Sequence, residues 1–289
     1  MKFLTSPVKW FGLIFFPFIF FASCILEKSS DKKKESLMIL AAILLQSKPT
    51  TSAFTLPADA ANNVVDAPND NGVDFRDKTK AINGVRGNGC CGGSLDVFSL
   101  SPTGSGAHIT LEWIGQKVIN GSGIDFVVFE NPFQYNNNPS SVFMEAIIVE
   151  VSIDGINFCG FSPDYNNSPE TTYSTDPSKW LRFAGKTPVF YTEETNQLKG
   201  ADIYDPAKAG GDGFDLSNLL TSASTDTLWA IGCSASLVTS IQNNGFYYVR
   251  LTSASDRINP DTSAKFLRDS GASDGPDIDG VFARYRAAR

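Results

Sequence analysis

AIIVEVSIDGINFC, residues 146–159, is the stretch whose reading decides the fold. It opens on a β-branched run, Ile147, Ile148, Val149 and Val151, interrupted by Glu150. Such side chains suit a pleated, packed surface better than a helix. Asp154-Gly155 follows as a turn dipeptide and Ile156-Asn157-Phe158-Cys159 as a second short run, so the stretch predicts a β-hairpin. Upstream, ITLEW (109–113) and DFVVFE (125–130) alternate in the same way. Downstream, residues 188–191, 228–235, 245–252 and 280–285 are further candidate strands, and 215–220 reads as a short helix or turn. Long helical periodicity is missing between them. Many short strands punctuated by Gly, Asn and Pro predict an all-β fold, a two-sheet β-sandwich. With no break in composition, residues 53–289 are expected to form one domain.

The N-terminus carries a different signal. Lys2 and Lys9 form a basic region, and residues 11–21 are almost wholly apolar, the order of a secretory signal peptide. Pro17 inside the run argues against a straight spanning helix. Phe21-Ala22-Ser23-Cys24 resembles a lipobox, in the relaxed form of spirochaetal lipoproteins, with Cys24 as the lipidated residue. The alternatives are an ordinary signal peptide, or an uncleaved anchor helix with an incidental cysteine. On the lipoprotein reading, residues 1–23 are removed and 24–52 form a lipidated tether. The apolar segment 37–45 within it is far short of the ~20 residues that span a bilayer. Two or three acyl chains hold a protein firmly at a membrane, so the expected location is the outer membrane or cell surface.

The chain has a net charge of −7, and loss of the leader's two lysines leaves −9. The tether is itself basic, so the acidity is concentrated in the domain. That excludes nucleic acid as a main partner, because phosphate backbones need concentrated positive charge. Beyond Cys24, four cysteines remain: Cys90, Cys91, Cys159 and Cys233. An even number in an exported chain points to disulfides. A bond between the adjacent Cys90 and Cys91 would be strained, which leaves 90–159 with 91–233, or 90–233 with 91–159.

Several ordered segments carry a resemblance. INGSGIDFVVFENPF (119–133), VEVSIDGINF (149–158), GGSLDVFSL (92–100), GGDGFDL (210–216) and DIDGV (277–281) resemble those of an uncharacterised bacterial cell-surface lipoprotein family of leptospiral type. The Cys-Cys-Gly-Gly run at 90–93 and the Trp180 region are similar as well. The resemblance implies a jelly-roll, galactose-binding-like sandwich, an architecture shared by carbohydrate-binding modules and adhesins; it implies no particular activity.

Catalytic signatures are few. His108 is the single histidine, so HExxH and multi-His metal sites are impossible. There is no GxSxG elbow, phosphate loop or dinucleotide fingerprint. A carboxylate pair remains open, with Glu130, Glu145 and Glu150 on or beside predicted strands; the domain is nevertheless read as non-enzymatic. Two runs rich in oxygen ligands are candidates for a structural calcium ion: 66–77, with Asp70 and Asp74, and 269–280, with Asp274, Asp277 and Asp279. A sandwich that brings its first and last strands together would let both runs share one ion. For a glycan or host-protein ligand, Trp180 is the candidate exposed aromatic, and Tyr135 sits on a polar loop tip. Trp113 and Trp229 are expected in the core.

Overall fold

A computed structural model describes residues 57–86, 93–104, 106–219, 232–269 and 275–289. They belong to a compact unit spanning Leu56–Arg289. The strands used below are β1 (Asn63–Asp66), β2 (Phe98–Ser99), β3 (His108–Glu112), β4 (Phe126–Phe129), β5 (Ile147–Ser152), β6 (Cys159–Gly160), β7 (Asp212–Phe214), β8 (Tyr248–Ser253), β9 (Asp277–Ile278) and β10 (Gly280–Ala283). A five-stranded antiparallel sheet runs β1-β3-β8-β5-β6, and a three-stranded antiparallel sheet runs β7-β4-β10. Shorter two-stranded ribbons, among them β2 with β9, complete the strand content.

The deciding hairpin forms, but its second strand begins only at Cys159, so Ile156 to Phe158 belong to the turn and not to the expected strand. Val151 pairs with Cys159 and Glu150 with Gly160. Gly155 turns the chain at φ +75°, a conformation that costs glycine nothing. The Asp154 carboxylate gathers the turn, accepting from the backbone N–H of Ile156 (2.9 Å) and Asn157 (2.8 Å). The two faces of β5 then part by the strand period of two. Ile147, Val149 and Val151 enter the main core together with Ile109, Leu111, Val249 and Leu251 of the same sheet. That core also takes Phe126, Val128, Val281 and Ala283 from the three-stranded sheet. The alternate residues Val127 and Phe129 face a second cluster with Tyr191 and Phe282.

Three further expectations are corrected. Residues 188–191 form no strand: the N–H groups of Phe190 and Tyr191 both donate to the carbonyl of Ala209 (2.8 and 2.9 Å), which is not a ladder. Ala235, expected in a strand, instead begins the helix Ala235–Asn244. Ser234 caps it by accepting from Leu237 N–H (3.2 Å), and Gly245 ends it at φ +85°. Val238 and Ile241 bury its inner face at a spacing of three.

The disulfide connectivity is the third correction: Cys159 joins Cys233, so neither cysteine is available to Cys90 or Cys91. The two chains pass close because Gly232 lies against Asn157, where a Cβ on the glycine would meet Asn157 Oδ1 at 2.3 Å. Cys90, Cys91 and Trp229 lie outside the described residues, as do Cys24 and the segments 1–23 and 24–52 expected to be signal peptide and tether. No helix among the described residues is long and apolar enough to cross a membrane.

Candidate functional site

A cleft of about 710 Å³ opens beside β7, the outer strand of the three-stranded sheet. Its volume falls within the range of small-ligand sites, roughly 300–1,000 Å³. Three segments and Ile124 build it: Phe161 and Ser162 after β6, Arg182 to Thr187, and Pro206 to Asn218 through β7. Three of its lining residues hold left-handed backbone, Ser162 (φ +52°), Arg182 (φ +60°) and Gly211 (φ +68°). Non-glycine residues rarely adopt this region, and such strain gathers at ligand sites. At Gly211 a Cβ would stand 2.7 Å from the Phe129 ring, so only glycine lets the cleft wall pack on β4.

In the cleft wall sits Asp212, largely buried on β7. Burial pushes its carboxyl up, while Lys186 and the donors of Thr187 pull it partly back. It accepts from Lys186 N–H (3.0 Å), Thr187 N–H (3.3 Å) and the Thr187 hydroxyl (2.7 Å), and so ties the 186–187 backbone to β7. Asp215 caps the turn Leu216–Asn218, accepting from Ser217 N–H at 2.8 Å. Both acids therefore serve the cleft's frame. Its cations are less engaged. Arg182 Nε donates to Ser162 O at 2.6 Å, but its nearest carboxylate partner, Asp164, stands 4.0 Å from Nη2. Lys186 Nζ is 3.6 Å from Asp212.

The residues expected to bind ligand lie elsewhere. Trp180 is fully buried and not exposed: it packs on Tyr165 at 4.1 Å between ring centres and on Phe183 at 5.3 Å, and its Nε1 donates to Ser174 O at 3.0 Å. Trp180 is buried although its neighbours Lys179 and Arg182 are charged, because the side chains alternate here, with Trp180 inward and Leu181 outward. Tyr135 is half-buried and stacks edge-on to Phe133 and Phe143. Its hydroxyl donates to Asp269 at 3.2 Å, so it holds the loop tip. Trp113 is buried in the core, with Nε1 donating to Asp59 O.

The two acidic runs do flank one strand. Asp70 bridges Leu100 on one side of β2, and Asp277 pairs with Ser99 on the other. Their carboxylates are occupied separately. Asp70 accepts from Arg76 Nε and Gly72 N–H, Asp277 bonds the Ser99 hydroxyl, and the buried Asp279 accepts from Arg86 N–H. Asp74 is exposed, and Asp274 lies outside the described residues. Among the described residues no group of three His, Cys, Asp or Glu side chains is placed to hold a metal ion. Glu130, beside Asp277, is buried; its Oε1 accepts from Asp277 N–H at 2.9 Å while Oε2 has no hydrogen-bond partner among the described residues. Burial, with Glu145 and Asp277 close by, holds its carboxyl well above the usual range. Glu150 is committed to Arg250, and His108 to Asp66 at 3.1 Å.

Arg182 and Lys186 escape sequence reasoning, since isolated cations in a loop carry no pattern. The one available signal is the GGDGFDL run, five of whose residues, Gly211 to Asp215, line the cleft. Comparison with protein-family models, curated proteins and solved structures finds no match to this chain.

Proposed function

We propose that the chain is an exported lipoprotein, anchored at the outer membrane or cell surface through a lipid on Cys24, whose domain binds a glycan or host macromolecule without catalysis. The domain is read as a two-sheet sandwich of jelly-roll type, supported by a main core drawn from both the five- and three-stranded sheets. The observation that carries the binding role is the cleft beside β7, with its two left-handed non-glycine residues. Topology favours its use. Residues 59–61, by which the chain enters the domain, pair with β10 at the opposite edge of the three-stranded sheet. Residues 59–61 therefore lie about three strand spacings, roughly 14 Å, from the strand that borders the cleft.

The non-catalytic reading is supported by the cleft's acids, since Asp212 and Asp215 are both tied to backbone N–H groups. Calcium enters the same reading through Glu130, whose unpartnered buried oxygen lies beside the Asp277 run. EDTA is then expected to lower the melting temperature and calcium to restore it; an unchanged melt removes the ion.

Two measurements test the whole reading. Metabolic acyl labelling should mark the wild-type chain and not Cys24→Ala; equal labelling defeats the anchor. The detergent-purified full chain should bind selectively on an array of glycans and matrix proteins. Silence from folded protein shifts the reading to a structural envelope lipoprotein without a ligand.

A further inference from the structure

The cleft beside β7 holds more hydrogen-bond donors than its own acceptors use, and the inference drawn from this rests on the binding role proposed above. Arg182 spends Nε on Ser162 O, which sets the guanidinium plane. Among the described residues its Nη groups make no hydrogen bond, the nearest carboxylate oxygen being 4.0 Å away. Lys186 Nζ, at 3.6 Å from Asp212, is likewise outside hydrogen-bonding reach. Two arginines elsewhere in the domain meet side-chain oxygens directly: Arg250 grips Glu150 at two points, and Arg286 reaches Asp59 and Gln116. Two carboxylates of the cleft wall already accept from other donors. Asp212 takes two backbone N–H groups and a hydroxyl, and Asp215 takes Ser217 N–H.

Guanidinium and ammonium groups donate and never accept. A ligand that completes this wall must bring acceptors, and a planar carboxylate fits the guanidinium fork at two points. Ser162 and Asn218, also on the wall, offer a hydroxyl and an amide suited to neighbouring sugar hydroxyls. The volume holds one or two sugar rings. We propose that the cleft binds saccharides bearing a carboxylate, uronic- or sialic-acid residues, with Arg182 as the carboxylate fork and Lys186 as the second cation.

The test is calorimetric titration of the detergent-purified full chain with sialyllactose and trigalacturonate, against lactose, inorganic sulfate and inorganic phosphate. An acidic saccharide should bind at least about tenfold more tightly than lactose, and the margin should shrink as salt rises. Arg182→Gln and Lys186→Gln should each remove that margin. Because Arg182 holds left-handed backbone, Arg182→Gly serves where Arg182→Gln does not fold, deleting the fork and the strain together. Lactose binding as tightly as the acids overturns the carboxylate claim and leaves the binding domain standing. Acidic preference that survives all three variants overturns the placement in this cleft. Sulfate or phosphate binding as tightly as the saccharides overturns the sugar. Failure of every probe with folded protein counts against the binding role itself.

Discussion

Arg250 grips Glu150 at two points across neighbouring strands, Nε to Oε2 and Nη2 to Oε1, both at 2.9 Å. The two are register partners on β8 and β5, and Glu150 is wholly buried. The Arg250 guanidinium also lies 3.8 Å over the Phe158 ring, and Arg257 approaches Glu150 from a second side at 3.4 Å. A carboxylate in the middle of a sheet is tolerable only with such company, because desolvation costs several kcal/mol per ion.

Glu150→Ala should therefore destabilise the domain by about 3–5 kcal/mol, since it strands two arginines on a packed face. Replacing Glu150 and Arg250 together by Met should cost less than the single change. Urea denaturation measures both; a single-variant loss below ~1 kcal/mol would mean the pair is solvated in practice.

The hairpin turn makes the domain sensitive to acid. Burial raises the Asp154 carboxyl, but the hydrogen bonds from Asn157, Ile156 and Ser152 outweigh it and hold the group well below the usual carboxylate range. A depressed folded-state pKa gives stability that is present above the unfolded value, about 3.9, and is lost as pH falls below it. Asp154→Asn should flatten the acid limb of the melting-temperature profile below pH ~4. A limb of unchanged slope would place the acid sensitivity elsewhere.

The Cys159–Cys233 bond closes a loop across 74 residues of sequence separation. Its removal by Cys233→Ser should cost about 2–4 kcal/mol, chiefly by freeing the unfolded chain. Non-reducing peptide mapping should recover one peptide pair linking these two cysteines, in wild type and in a Cys90→Ser, Cys91→Ser variant. Recovery of either cysteine joined to the 90–91 peptide would overturn the pairing.

Trp180→Ala removes the centre of an aromatic cluster with Tyr165, Tyr173 and Phe183. The expected loss is about 3–5 kcal/mol of stability, seen as a lower melting temperature with ligand affinity of the remaining folded protein unchanged. A stable variant with weakened binding would return Trp180 to the role of a contact residue.

The strands legible from sequence were those whose two faces both have packed partners. The runs at 109–113, 125–130 and 146–152 write their burial into short β-branched and aromatic apolar runs, and β3, β4 and β5 lie inside them. The helix Ala235–Asn244 was missed because it buries only Val238 and Ile241, and its β-branched Val238, Thr239 and Ile241 weaken the helical signal.

By itself the sequence determined the antiparallel β character, the turn at Asp154-Gly155 and the exclusion of multi-histidine metal sites. These depend on residue type and on neighbours a few positions away. Only the tertiary structure decided that Cys159 meets Cys233, that Trp180 turns inward, and that Arg182 and Lys186 share a cleft with residues 211–215. Each depends on where a loop crosses a distant strand, and a linear pattern carries no record of that crossing.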